Sequence, residues 1–457
     1  MINSSSISYQ SLPSANYVAR RAALAQRIRA QTGSGIAIVM TAPEVYRNRD
    51  SDFPYRHDSD FYYLTGFTEP EAVLVMQVNT TGHICHLFCR PKDIEREIWD
   101  GIRLGPDAAP AFLKVDFAHS IETMNHLVPE LMANEAHLYY RTASDALLDQ
   151  SIRTWTSTLK TKARAGVTKP IHSHDIEALV HDMRLIKEAG EISLMHASGK
   201  IAAQAHLQAM RVCQPGLREY HLEAELLHVF RQHGAQSVAY NSIVAAGANS
   251  CILHYRAANA LLNDGDLCLI DAGCELDSYA SDITRTFPIN GQFSPAQKLA
   301  YEIVLAAQEA AIAATVVGKH FQEPHEAALR ILVEGLFEMK VLNHHQHGSI
   351  DDALTSGAYQ PYYMHRTSHW LGMDVHDVGD YREPSDSAKG WRILREGMAL
   401  TIEPGLYFRP AKEVPQEFWN IGIRIEDDVV VHAQGPQVLT RDVPVGITDI
   451  EQWMKNA

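Results

Sequence analysis

The 457-residue chain is longer than one hydrophobic core usually supports, so two domains are expected. Hydrophobic content of 46% and charged content of 21% describe an ordinary globular protein. The formal net charge of -15, from 55 acidic against 40 basic residues, excludes nucleic acid or an anionic membrane surface as the expected main partner.

From the N-terminus, M-I-N-S-S-S-I-S-Y-Q-S-L-P lacks a basic segment followed by an apolar core, so no secretory leader is expected. No later apolar run approaches the roughly 18 residues that span a bilayer. Residues 17–31 form an amphipathic helix rich in Ala and Arg. Four strands are then predicted: G-I-A-I-V-M, D-F-Y-Y-L-T-G-F, E-A-V-L-V-M-Q-V and I-C-H-L-F-C. Cys85 and Cys89 in the last could suggest a metal clip, but no second pair completes it, and alternation makes them small core residues. The six cysteines are scattered, which fits a reducing cytoplasm. A polar helical stretch covers about 108–159, and T-K-A-R-A-G-V-T-K-P, ending at Pro170, has linker composition. The expected domains are 1–172, a three-layer α/β domain, and 173–457.

The second domain opens with helical patterns over 186–212 and 218–233, followed by strands D-L-C-L-I-D-A-G and A-S-D-I-T-R-T-F-P-I-N-G. Helices over 294–317 and 322–340 follow, then strands M-A-L-T-I-E-P-G-L-Y-F and G-I-R-I-E-D-D-V-V-V. Two rounds of helix, helix and strands hint at an internal repeat.

Four carboxylates stand at apolar strand ends in this domain. Asp271 ends one strand and Asp282 begins the next. A hairpin turning near Leu276 would set them face to face, about 5 Å apart, where like charges repel unless a cation lies between them. Taken alone, an Asp-rich hairpin more often holds solvated turn residues, but the flanking Leu267, Ile270, Ile283 and Phe287 imply burial. Glu403 closes A-L-T-I-E-P-G, where Pro404 and Gly405 redirect the strand. Glu426 shares a strand face with Arg424, and taken alone a surface Arg424–Glu426 pair explains that better than a ligand does. The segment M-H-R-T-S-H-W-L-G-M-D-V-H-D-V-G-D adds His365, His369 and His376. Helical spacing would put the first two on one face, but Gly372 and the valines of 375–378 read as extended chain. Mostly oxygen donors with an imidazole suit Mn(II), Co(II), Fe(II) or Zn(II). Four carboxylates exceed the need of one ion, and two ions with a bridging hydroxide would make hydrolysis the natural use.

Together these stretches resemble the pita-bread dinuclear metallopeptidases, specifically the Xaa-Pro aminopeptidase (aminopeptidase P) family. The matching residues are D-A-G-C-E-L-D-S-Y-A-S-D-I-T-R-T-F-P-I-N-G, S-H-W-L-G-M-D-V-H-D-V-G, T-I-E-P-G-L-Y and G-I-R-I-E-D. D-S-D-F-Y-Y-L-T-G-F-T-E-P-E-A-V-L-V and E-I-W-D-G-I-R-L-G-P-D-A-A-P extend the match over both domains. The resemblance implies an α/β (α+β) chain, with an N-terminal three-layer creatinase-like domain and a C-terminal pita-bread catalytic domain. It implies removal of the N-terminal residue from peptides with proline second, and two divalent ions, most often Mn(II). It assigns Asp271 to one metal, His369 and Glu403 to the other, and Asp282 and Glu426 as bridges. Glu403 would also shuttle the proton. His254, His365 and His376 match non-ligand histidines around the substrate, His376 facing the oxyanion and the other two the proline pocket. Arg424 is expected to orient Glu426 or the substrate, or to form a structural ion pair. Trp99 matches a position that lines the site of a neighbouring subunit, and the family assembles as dimers or tetramers. Arg366 departs from the pattern, since relatives have a small residue there; it either swings away or touches the substrate carboxylate. Two other functions fit less of the pattern: a prolidase, specific for dipeptides, and a non-catalytic peptide-binding pita-bread protein.

Overall fold

The computed structural model describes residues 11–143, 146–383 and 390–456. The first ten residues, on which the expectation of no secretory leader falls, lie outside them. Among the described residues no helix is long and apolar enough to cross a membrane.

The chain forms two compact units, Leu12–Arg184 and Leu185–Ala457. In the first, strand Gly35–Met40 pairs antiparallel with Val73–Val78, which pairs antiparallel with His83–Cys89. Three strands add in parallel: Phe117–Ser120 beside His83–Cys89, His137–Tyr140 beside Gly35–Met40, and His172–Asp175 at the far edge. Helices lie on both faces of this six-stranded sheet. Ile36 and Ile38 meet Val128, Ile152 and Trp155 on one side, while Ser14–Thr32 and Ser59–Thr65 pack on the other. Burial on both faces explains why G-I-A-I-V-M is uninterruptedly apolar. The compact unit runs through strand His172–Asp175 and helix Glu177–Arg184, where the sequence places a boundary at 172.

Two sequence expectations fail here. D-F-Y-Y-L-T-G-F is the helix Ser59–Thr65 rather than a strand. Asp58 caps it by accepting from Phe61 N at 2.9 Å, and left-handed Gly66 ends it. Every residue of the helix is buried, so its all-round apolar run mimics a buried strand. The helical stretch over 108–159 is broken by strands Phe117–Ser120 and His137–Tyr140, each four residues long and too short to show alternation. Cys85 and Cys89 are buried in their strand, and burial pushes their thiols up to about 11 and about 12, away from ligand chemistry.

In the second unit, helices Ala189–Val212 and Glu219–Gln232 pack together, as do Pro295–Ala314 and Gln322–Glu338. A three-stranded antiparallel sheet, Ile243–Ala246, Leu267–Asp271 and Thr284–Pro288, follows the first pair. Ala399–Ile402 with Asp427–Val430, and Gly405–Phe408 with Ile421–Arg424, follow the second. The repeated order read from sequence is therefore the order of the elements. One apolar core joins helices and strands, with Leu226, Ile270, Val304, Leu332, Leu400 and Ile425 all fully buried. The inner strand ends are left to carry polar groups.

Candidate metal centre

Asp271 is the last residue of strand Leu267–Asp271, but Asp282 is not its cross-strand partner, contrary to the sequence expectation. The register sets Asp271 opposite Thr284. The chain between them turns at Asp277 and Ser278, both in the left-handed region, as a small hairpin of its own. It then folds back so closely that a Cβ on Gly273 would sit 1.7 Å from the Ser281 carbonyl oxygen. That crossing, not a shared register, returns Asp282 to Asp271. The Tyr240 hydroxyl donates to both carboxylates.

Three ligand atoms, one each from Asp282, His369 and Glu426, lie within 4.8 Å of one another. His369 Nε2 is 3.5 Å from Asp282 Oδ2 and 3.7 Å from Glu403 Oε1. Its Nδ1 lies 3.0 Å from the Trp370 carbonyl oxygen, which only accepts, so Nδ1 carries a proton and Nε2 is the nitrogen directed at the carboxylates. Glu426 sits between two strands, its backbone N donating to the Thr284 carbonyl at 3.1 Å and its Oε2 accepting from Thr284 Oγ1 at 2.6 Å. Glu403 follows Ala399–Ile402 and is tied by its backbone N to the Thr367 carbonyl at 2.8 Å. The five side chains open on one cavity of about 520 Å³.

Arg424 is buried, not a surface residue, and its partner is Asp271 at 2.6 Å rather than Glu426. It also donates to Thr284 Oγ1 at 3.2 Å and to the Tyr407 hydroxyl at 3.0 Å. One cation thus touches the first carboxylate directly and reaches Glu426 through Thr284.

Residues 364–380 contain no helix, so His365 and His369 do not share a helical face. His365 Nδ1 donates to the Arg366 carbonyl at 2.7 Å, and its Nε2 takes the Tyr407 hydroxyl at 2.8 Å. Burial, reinforced by Arg424, holds its ring neutral at about 3. His376 has an accessible side chain with its ring centroid 4.0 Å from that of His369; partial desolvation of the ring and that neighbour pull it down to about 4. His254 is exposed on the cavity wall. Arg366 lines the cavity too, its Nη1 donating to Gln322 Oε1 at 3.0 Å. Trp99 belongs to the other unit, on helix Ile94–Asp100, and is 84% exposed.

Sequence reasoning missed Tyr240, Thr284 and Tyr407, whose hydroxyls link the side chains of this cluster. It also missed Glu219, fully buried, which accepts from Ala246 N at 2.8 Å, Asn249 Nδ2 at 3.0 Å, Tyr255 hydroxyl at 2.9 Å and Ala260 N at 2.8 Å. Those bonds pin both ends of the loop that carries His254. No spacing rule flags such residues; only Thr284, in D-I-T-R-T-F, and Tyr407, in E-P-G-L-Y, lie inside motifs.

Burial raises the carboxyls of Asp282, Glu403 and Glu426, with Glu403 pushed up to about 7 and Glu426 well above the carboxylate range. Burial opposes the charging of His369, but Asp282 and Glu403 carry it up to about 9. Without ions the cluster therefore holds protons at pH 7. The donor set of four carboxylates and one imidazole fits divalent cations, which would take the protons' place. Ion uptake should release protons, and affinity should rise as pH increases from 6 to 8. Calorimetry at pH 7 in buffers of different ionisation enthalpy measures the release; equal heats in all buffers would contradict it.

The family model described as metallopeptidase family M24 matches residues 193–433, and the model described as aminopeptidase P, N-terminal domain, matches residues 17–139. The chain is 44% identical over 436 residues to a Xaa-Pro aminopeptidase of Escherichia coli, covering 95% of this chain and 96% of that one. It is 34% identical over 458 residues to Xaa-Pro aminopeptidase 3 of Homo sapiens, covering 98% and 87%. The solved structure of Pseudomonas aeruginosa aminopeptidase PepP matches with a TM-score of 0.93 and 46% identity, over 98% of this chain and 99% of that chain.

Proposed function

The chain belongs to metallopeptidase family M24, and from that premise we propose how its residues divide the work. It is an Xaa-Pro aminopeptidase, an exopeptidase that removes the N-terminal residue when proline is second. Its fold is an aminopeptidase P-type N-terminal domain followed by a pita-bread catalytic domain with a dinuclear metal site.

Asp271, Asp282, His369, Glu403 and Glu426 would hold the two ions, and the oxygen-rich set favours Mn(II). When bound, such ions supply an activated water and polarise the scissile carbonyl. Glu403 takes the proton of the attacking water and delivers it to the departing proline nitrogen. His376, neutral and exposed beside His369, donates to the developing oxyanion. The Xaa-Pro bond is a tertiary amide without an N–H, so recognition must come from the shape around the ring rather than from that donor. His254 and His365 line that space; both nitrogens of His365 are committed to the Arg366 carbonyl and Tyr407, so it acts as a fixed wall. Arg424 keeps Asp271 aligned, and through Thr284 it steadies Glu426.

Trp99 is proposed to complete the site of a second copy in a homo-oligomer, dimer or tetramer. Ile94, Ile98 and Ile102 beside it are each more than three-quarters exposed, an apolar surface that a partner subunit would cover. Six free cysteines fit a cytoplasmic location.

The convergence of Asp282, His369 and Glu426 carries this reading. Hydrolysis of Ala-Pro-Ala, Ala-Ala-Ala and Ala-Pro tests it. Release of alanine from the first, with little from the second, is expected. Cleavage of Ala-Pro alone would make the enzyme a prolidase.

A further inference from the structure

Arg366 stands on the wall of the catalytic cavity immediately after His365. It is exposed, yet its guanidinium is held in place. Nη1 donates to Gln322 Oε1 at 3.0 Å, and the group lies 5.1 Å from the centroid of the Trp391 ring. Gln322 is the first residue of helix Gln322–Glu338, and Trp391 packs on the hydrophobic core, so both supports are fixed. An arginine offers five N–H donors in a planar fork, and the bond to Gln322 uses one of them. A fork already tethered by its bond to Gln322 loses less entropy on binding a carboxylate than a free side chain would.

Asp271, Asp282, Glu403 and Glu426 gather at the metal centre, whereas Arg366 and Arg256 bring positive charge to the same cavity. Arg256 is exposed as well and donates to the Asn241 carbonyl at 3.0 Å. A peptide bound with its first bond at the metal centre advances about 3.3–3.6 Å per residue. Only a short peptide can end within the cavity, and its last group is a carboxylate.

We propose that Arg366 recognises the C-terminal carboxylate of short peptides and biases this enzyme toward free-acid substrates that end within the cavity. The proposal rests on the Xaa-Pro aminopeptidase reading. Because the terminal carboxylate is not among the reacting atoms, the contact should act on KM rather than kcat.

The test compares kcat/KM for Ala-Pro-Ala and for its C-terminal amide with metal-loaded wild type, R366G and R366E. Wild type should prefer the acid by about fivefold at low salt, the reach of an exposed charge pair, and less in high salt. The acid-to-amide ratio should fall toward one in R366G and below one in R366E, with the change in KM. An unchanged ratio across the three proteins would overturn the role of Arg366 while leaving the exopeptidase reading intact. Failure of wild type to cleave either peptide would refute that reading, and the proposal with it.

Discussion

Glu403→Gln should leave a folded, metal-binding protein that turns over Ala-Pro-Ala about 10²–10⁴-fold more slowly than wild type, the usual contribution of a positioned proton-transfer group. The amide keeps the shape of the side chain and the backbone bond to Thr367, but it can neither take a proton from water nor return one to proline nitrogen. Burial pushes the Glu403 carboxyl up to about 7, and glutamine resembles its protonated form. A carboxyl with a raised folded-state value loses stability as pH climbs above its unfolded value, because the charged form is disfavoured in the fold. The metal-free variant should therefore unfold at or above the wild-type temperature at pH 8, with a gap that closes toward pH 4. Activity loss together with lower metal-free stability would point to a structural role. Near-normal turnover with a full metal complement would remove Glu403 from the mechanism.

Gly273→Ala should be the most disruptive single methyl group at the centre. Its Cβ would lie 1.7 Å from the Ser281 carbonyl oxygen, a backbone atom that cannot swing aside. Ser281 is fully buried, and its backbone N donates to the Cys274 carbonyl at 3.0 Å. Relief requires separating the two chain segments that return Asp282 to Asp271. A cost of about 3 kcal/mol or more is expected, at the upper end of overpacking penalties. The displaced Asp282 should also weaken ion binding at least tenfold. Denaturant unfolding and metal titration measure the two effects. Wild-type values in both would mean that the close crossing does not position the carboxylates.

The legible and the illegible parts of this fold differ for physical reasons. Long helices such as Ala189–Val212 and apolar strands such as Leu267–Asp271 advertise themselves through periodicity, because one face or both faces must be buried. Ser59–Thr65 did not, since a helix buried on every side loses its polar stripe. Asp271, Asp282, Glu403 and Glu426 stand out as charges at apolar strand ends, and all four line one cavity. The route of that convergence was hidden: register pairs Asp271 with Thr284, and the return of Asp282 depends on a close approach that only glycine permits. Arg424 and Glu426 shared a strand face in the sequence, yet the guanidinium reaches past it to Asp271. Cross-chain partners of that kind, like Tyr240 and Glu219, are set by tertiary contacts that no local pattern encodes.

The central claim is that hydrolysis depends on ions held by these five side chains. The direct measurement is Ala-Pro-Ala hydrolysis by protein stripped of metal with a chelator and then titrated with Mn(II). No turnover in the stripped protein and recovery as two ions per chain are bound is the predicted result. Full turnover by rigorously metal-free protein would contradict it.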